Sequence, residues 1–211
     1  MNRMILFIII LSIGLLLVGC SGEKEAGSAS SSVATINGEG ITEEDVTFYQ
    51  LINHIQLEMY READRKRYTG QELEAAMKFW DQRIEESKER NMLLTQIIRL
   101  RAVALLAQEK GYSSQQEEVE LGIDEAKKAY QSSPVAQELI RNYGEEKFWE
   151  QQEIQHQRIV LVKKVQQDIL ANVKQANPEA AGKELTMLAE KKYEELLVSQ
   201  VGSLNIQFAK K

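Results

Sequence analysis

Apolar residues along most of this chain recur at steps of three and four, the period of helices with one buried face. Phe48, Leu51, Ile52, Ile55 and Met59 share one face of a first predicted helix. Thr42 is its N-cap, Asp45 stands at the capping-box position, and Glu43 and Glu44 suit the positive end of the helix dipole. The helix is expected to end near the basic run Arg65-Lys66-Arg67-Tyr68, where Thr69 and Gly70 break the pattern. A second helix carries Leu73, Met77, Trp80 and Ile84. It is expected to continue through "EESKER", with Glu86 and Arg90 as an i,i+4 pair. Leu93, Leu94, Ile97, Ile98 and Leu105 then give a wide apolar face, so the helix ending at Lys110-Gly111 should be the most buried. Gly111 is its left-handed C-cap.

A further helix is predicted to start at Ser113 or Ser114, Pro134 punctuates, and a short helix ends at Gly144. The next one is long, with Val162, Val165, Ile169 and Val173 in one stripe. "QANPEAAGKE" around Pro178 is a linker. The last helix uses Leu185, Leu188, Leu196, Leu197 and Val201, and Gly202 ends it.

Two segments do not follow the helical period. Val33–Asn37 is β-branched and leads into a turn at Gly38 and Gly40; "LNIQF", Leu204 to Phe208, alternates apolar and polar. A strand cannot satisfy its own backbone hydrogen bonds, so each needs a partner. The economical solution pairs them with each other. The fold class expected is therefore mainly α, a multi-helix domain closed by a two-stranded antiparallel pairing of its N- and C-terminal segments.

The 211 residues allow one domain or two small ones, and only 2 prolines agree with long helices. A formal net charge of -6 makes a nucleic-acid footprint an unsuitable reading. The first 20 residues change the picture more. "MNRMILFIIILSIGLLLVGC" has Arg3, an apolar run and then small residues, the order of a secretory signal, although the run also approaches a membrane span in length. Its ending, Leu17-Val18-Gly19-Cys20, resembles the bacterial lipobox, which is cut before the cysteine. That resemblance implies a signal peptide over residues 1–19 and lipidation of Cys20, the chain's single cysteine. The cysteine therefore forms no intramolecular disulfide. Cleavage would remove Arg3, leaving 25 basic residues against 32 acidic ones and a net charge of -7. Such a charge opposes attraction to an anionic membrane surface, so lipid would hold the protein there. "SGEKEAGSASSS" completes a flexible tether over residues 20–32, ahead of one helical domain over 33–211.

In this order, the pieces resemble the SurA/PrsA family of extracytoplasmic chaperones. "VATINGEGITEEDV" is similar to that family's strand–turn–helix entry, and "LLTQIIRLRAVALLAQEKGYSSQQEEVELGIDEAKKAY" to its hydrophobic helix, Lys-Gly turn and following capped helix. "GEEKFWEQQEIQHQRIVLVKKV" resembles the next Gly-initiated helix, and "KKYEELLVSQVGSLNIQF" the closing helix and strand. The lipobox fits the lipoprotein PrsA branch. Many members insert a parvulin-type prolyl isomerase domain before the closing helix. Here the interval is only "ANVKQANPEAAGKEL", too short for a domain with its own core.

No catalytic constellation stands out. The chain has no Gly-rich phosphate loop and no HExxH, and no glutamate pair is marked as a general acid and base. His54 and His156 are the only histidines, too few for a zinc site without carboxylates, so no metal and no cofactor is expected. The resemblance instead implies a non-enzymatic chaperone at the extracytoplasmic face of the cell membrane, anchored by lipid on Cys20 and holding unfolded or newly exported polypeptides in a helical cradle. Tolerant binding suits methionine and aromatic side chains, which makes Met59, Tyr60, Met77, Phe79, Trp80, Phe148 and Trp149 the client-binding candidates. For each the alternative is a place in the core. Phe79 and Trp80 are adjacent on a helix and cannot point the same way, so one of them should be exposed. The rival reading is a structural or signalling envelope lipoprotein whose scaffold binds one dedicated partner.

Overall fold

A computed structural model describes residues 32–209; the expected signal peptide, Cys20 and all but the last residue of the expected tether lie outside the described residues. Within that span the fold is mainly α, with a small antiparallel sheet. The order is β1 (Ser32–Ile36), β2 (Glu39–Thr42), α1 (Glu43–Arg67), α2 (Gly70–Glu86), α3 (Arg90–Glu109), α4 (Gln116–Gln131), α5 (Pro134–Tyr143), α6 (Glu145–Ala176), α7 (Gly182–Ser203) and β3 (Ile206–Phe208).

The expected pairing of the two ends is present: Ile36, Thr35 and Ala34 face Ile206, Gln207 and Phe208 in antiparallel register. The sheet nevertheless has three strands where two were expected, in the order β2-β1-β3. Asn37 (φ 51°) and Gly38 (φ 88°) form a two-residue turn that folds β2 back onto β1. Positive φ at both central residues matches the twist of the flanking strands, and Asn-Gly adopts it at little cost. The strand reading that stopped at Asn37 overlooked this dipeptide, and Glu39–Thr42 pairs before the helix begins. Thr42 then serves as the last strand residue and as N-cap of α1. Its hydroxyl accepts from Asp45 N at 3.1 Å, while Asp45 Oδ2 accepts from Thr42 N at 2.8 Å.

Two helix boundaries also differ from expectation. The stretch "EESKER" is not continuous helix. α2 stops at Glu86 and α3 starts at Arg90. Ser87, buried, turns its hydroxyl back onto Ile84 O at 2.7 Å, a local bond that competes with the helical ladder. Glu86 therefore pairs with Arg83 at 2.9 Å, and Arg90 reaches Glu43 on α1 at 2.5 Å. α4 begins at Gln116 rather than directly after a serine cap, with Gln115 N donating to Glu118 Oε2 at 3.0 Å.

Three apolar clusters make up the core. Val103, Ala107, Leu161, Val165, Ile169 and Leu197 join α3, α6 and α7. Ala34, Ile36 and Ile41 of the sheet pack with Val46 of α1 and with Leu93 and Ile97 of α3. Phe48, Ile55, Ala136, Ile140 and Phe148 join α1, α5 and α6. α3 contributes to two of the three, and 9 of its 20 residues are buried, in line with the wide apolar face. One of the nine is Arg101. Its Nη1 donates to Gly40 O at 2.7 Å and its Nη2 pairs with Asp45 Oδ1 at 2.6 Å, tying β2, the start of α1 and the middle of α3 together.

Two predictions test this packing. α4 lies so close to α6 that a β-carbon on Gly122 would fall 2.5 Å from His156 Cδ2, whereas one on Gly202 would meet nothing within 4 Å. In urea denaturation Gly122→Ala should lose about 1 kcal/mol or more net of its gain in helix propensity, while Gly202→Ala should be neutral or gain up to about 1 kcal/mol. Arg101→Met removes one partner of a buried pair and leaves the Asp45 carboxylate uncompensated. The same measurement should show a loss of about 3 kcal/mol.

Candidate functional site

α1 and α2 form a hairpin that leaves the core. Val46, Phe48, Tyr49 and Ile55 are buried in the first half of α1, and α2 buries only Ile84, near its end. No side chain between Ile55 and Ile84 is fully buried. The extensive packing of α2 is all against α1. The part of α1 beyond Ile55 runs for 12 residues, about 18 Å at 1.5 Å per residue. Leu73, Met77 and Trp80, the predicted apolar stripe, are half-buried along this arm.

Three aromatic rings cluster on it. Tyr60 stacks on Trp80 with centroids 5.8 Å apart, and Phe79 meets Trp80 edge-on at 4.9 Å. Tyr60 is 51% exposed and Phe79 52%. Trp80 is held in place because its Nε1–H donates to Asp64 Oδ2 at 2.8 Å. Arg61 sits between Glu58 (3.1 Å) and Asp81 (2.9 Å), and Arg65 Nη2 lies 4.0 Å from Met77 Sδ. The result is an apolar patch with a charged rim, its central ring fixed and its flanking rings open to solvent. At the root of the arm a groove of about 510 Å³ runs between α1, the end of α2 and the start of α3, with Leu57 and Met92 among amide and charged side chains.

The seven candidates therefore separate. Tyr60, Met77, Phe79 and Trp80 come together on the arm, and Phe79 is the exposed member of its adjacent pair. Met59, half-buried, packs against the Phe48–Ile55–Phe148 cluster. Phe148 is 0% exposed, wedged against Phe48 (5.7 Å), Tyr130 (5.9 Å) and Tyr143 (6.5 Å), so it is a core residue and not a contact surface. Its helical position could not show this, because the surrounding ring cage is assembled from α1, α4 and α5. Trp149 is half-buried beside it, edge-on to Phe148 at 5.0 Å and with the Lys127 ammonium 5.4 Å from its ring centroid.

The histidines have ordinary partners. His54 Nε2 is 3.7 Å from Glu58, and His156 Nδ1 is 2.9 Å from Gln152 O. Among the described residues no group of three or more His, Cys, Asp or Glu side chains converges as a metal site requires, and no helix is long and apolar enough to cross a membrane. Near Arg101, burial raises the Tyr49 phenol to about 12. Sequence reasoning did not single out this polar cluster, because Arg101 and Arg158 look like ordinary charged positions on long helices.

Core and patch should respond differently to truncation. Phe148→Ala should cost about 3–5 kcal/mol of stability, and Phe79→Ala no more than about 1 kcal/mol, by denaturant titration monitored by circular dichroism.

No protein-family model, no curated protein and no solved structure matches this chain.

Proposed function

We propose that this protein is a lipid-anchored, non-catalytic chaperone that holds unfolded or newly exported polypeptides at the extracytoplasmic face of the bacterial cell membrane. The observation that carries the reading is the arm: two helices without a fully buried side chain between Ile55 and Ile84, bearing the half-exposed Tyr60–Trp80–Phe79 cluster. Monomeric proteins tend to bury large aromatic groups or scatter them singly, and contiguous apolar patches with polar rims tend to bind other chains. Aromatic faces accept many apolar side chains without demanding a sequence, as transient client binding needs. The resemblance to SurA/PrsA chaperones and the lipobox ending at Cys20 supply the location and the class of client. The short span between α6 and α7 supports the non-catalytic part of the reading, since it leaves no room for an inserted isomerase domain.

The test uses the full chain in lipid nanodiscs and a reduced, unfolding client whose aggregation is followed by sedimentation. Wild type should keep the client soluble at near-stoichiometric ratio. Tyr60→Ser combined with Phe79→Ser should weaken client affinity by about fivefold or more, roughly 1 kcal/mol, with the melting temperature retained. Prolyl isomerisation of a model peptide should stay at background. Absence of suppression, or full suppression by the double variant, would overturn the patch as the binding surface. Catalysis above background would overturn the non-enzymatic assignment.

A further inference from the structure

Two arginines and two carboxylates meet beside the sheet, and one of the arginines has no close hydrogen-bonded partner. Arg101 is engaged through both terminal nitrogens, by Gly40 O and Asp45 Oδ1, while its buried Nε has no acceptor. Arg158 of α6 stands next to it, its side chain only 23% exposed, and makes no hydrogen bond among the described residues. Among the described residues its one salt bridge within 4 Å is with Glu39 Oε1, at 3.7 Å. That same oxygen lies 3.7 Å from Arg101 Nη1. Both distances exceed those of a charge-assisted hydrogen bond, and the Glu39 side chain is 61% exposed. One carboxylate oxygen thus forms a long ion pair with each of two guanidinium groups and a hydrogen bond with neither.

The two arginines line a cavity of about 230 Å³, whose wall also includes Gln108, Ser114 and Gln157. Desolvation and the neighbouring Arg101 charge both push the Arg158 guanidinium below its usual range. A guanidinium partly withdrawn from water beside a like charge gains from an acceptor that bonds it directly. Its planar fork matches a carboxylate in two-point contact.

We infer that this cavity is a carboxylate-binding site. Arg158 is the fork that grips the ligand, Arg101 supplies the second positive charge, and the side chains of Gln108, Ser114 and Gln157 offer neutral donors. Glu39 occupies the entrance as an internal competitor that turns outward when the ligand enters. With Glu39 outside, Arg101, Arg158 and Asp45 leave one net positive charge for a monoanion. The ligand carboxylate comes either from the free C-terminus of a polypeptide or from a small free acid. The site is independent of the aromatic arm and does not rest on the chaperone reading.

Calorimetric titration of the full chain in nanodiscs, at constant ionic strength, tests the inference. The ligands are acetyl-tetra-alanine with a free C-terminal carboxylate, the same peptide as its amide, and acetate. The acid should bind at least about tenfold more tightly than the amide. Arg158→Gln should abolish that preference, and Glu39→Gln, a change at an exposed side chain, should bind the acid severalfold more tightly than wild type. Acetate binding as tightly as the peptide acid identifies a free small acid as the ligand class. Tighter binding of the peptide acid identifies a chain end. Equal binding of acid and amide, an unaltered preference in Arg158→Gln, or no gain in Glu39→Gln overturns the assignment. The Glu39 arm decides alone if Arg158→Gln does not fold.

Discussion

β1 is the central strand of a three-stranded sheet, so both of its edges need backbone partners. One partner is local: β2, across the Asn37–Gly38 turn. The other, β3, comes from the far end of the described chain and is joined through Asn37 N to Asn205 O at 2.9 Å and Ala209 N to Val33 O at 2.9 Å. Every helix of the described residues lies between the two partners in sequence. Seating β3 therefore requires α7 to have docked on α3 and α6, and those helices to have docked on one another. Closure of this kind ties the sheet to the helices through a pairing that spans nearly the whole domain.

Arg101 holds the other end of that arrangement. A buried arginine is costly unless its donors are used, and here two of them join a strand carbonyl to a helix-capping carboxylate. Asp45 serves twice, closing the capping box of α1 and neutralising the guanidinium. Beside it, Arg158 lacks an equivalent set of partners. Two neighbouring arginines thus differ: the terminal nitrogens of Arg101 make close hydrogen bonds, whereas Arg158 makes only a long ion pair with Glu39.

Stability is unevenly distributed around this core. α3 and α6 are built into it, whereas the distal α1–α2 arm relies on half-buried contacts and exposed ion pairs, each of small value. Beyond Ile55, the arm's own ties to the rest of the fold include Met59 on the Phe48–Phe148 cluster and Glu62, which accepts from Ser133 Oγ. The Tyr60–Trp80–Phe79 cluster lies on this thinly packed part of the fold.

Most helices of the described residues, most of their faces and the pairing of the two ends were legible in the sequence, because the 3.6-residue period, the Thr42–Asp45 cap and the Gly111 turn are local signals. Asn37–Gly38 was also a local signal, and it specifies the third strand once its hairpin meaning is recognised. Other features were not local. The break at Ser87–Glu89 reflects a choice between helical continuation and a serine bond to Ile84 O, settled by α3 joining the core while α2 stays on α1. Sequence reasoning left Phe148 and Phe79 alike, each a contact candidate with a place in the core as the alternative. Only the cage from α1, α4 and α5 buries the first, and only the lack of a neighbour beyond α1 exposes the second. Arg101 and Arg158, 57 positions apart, became a pair because α3 and α6 pack side by side. Sequence fixes what each helix can bury; which of its charged and aromatic residues meet depends on the helix packed against it.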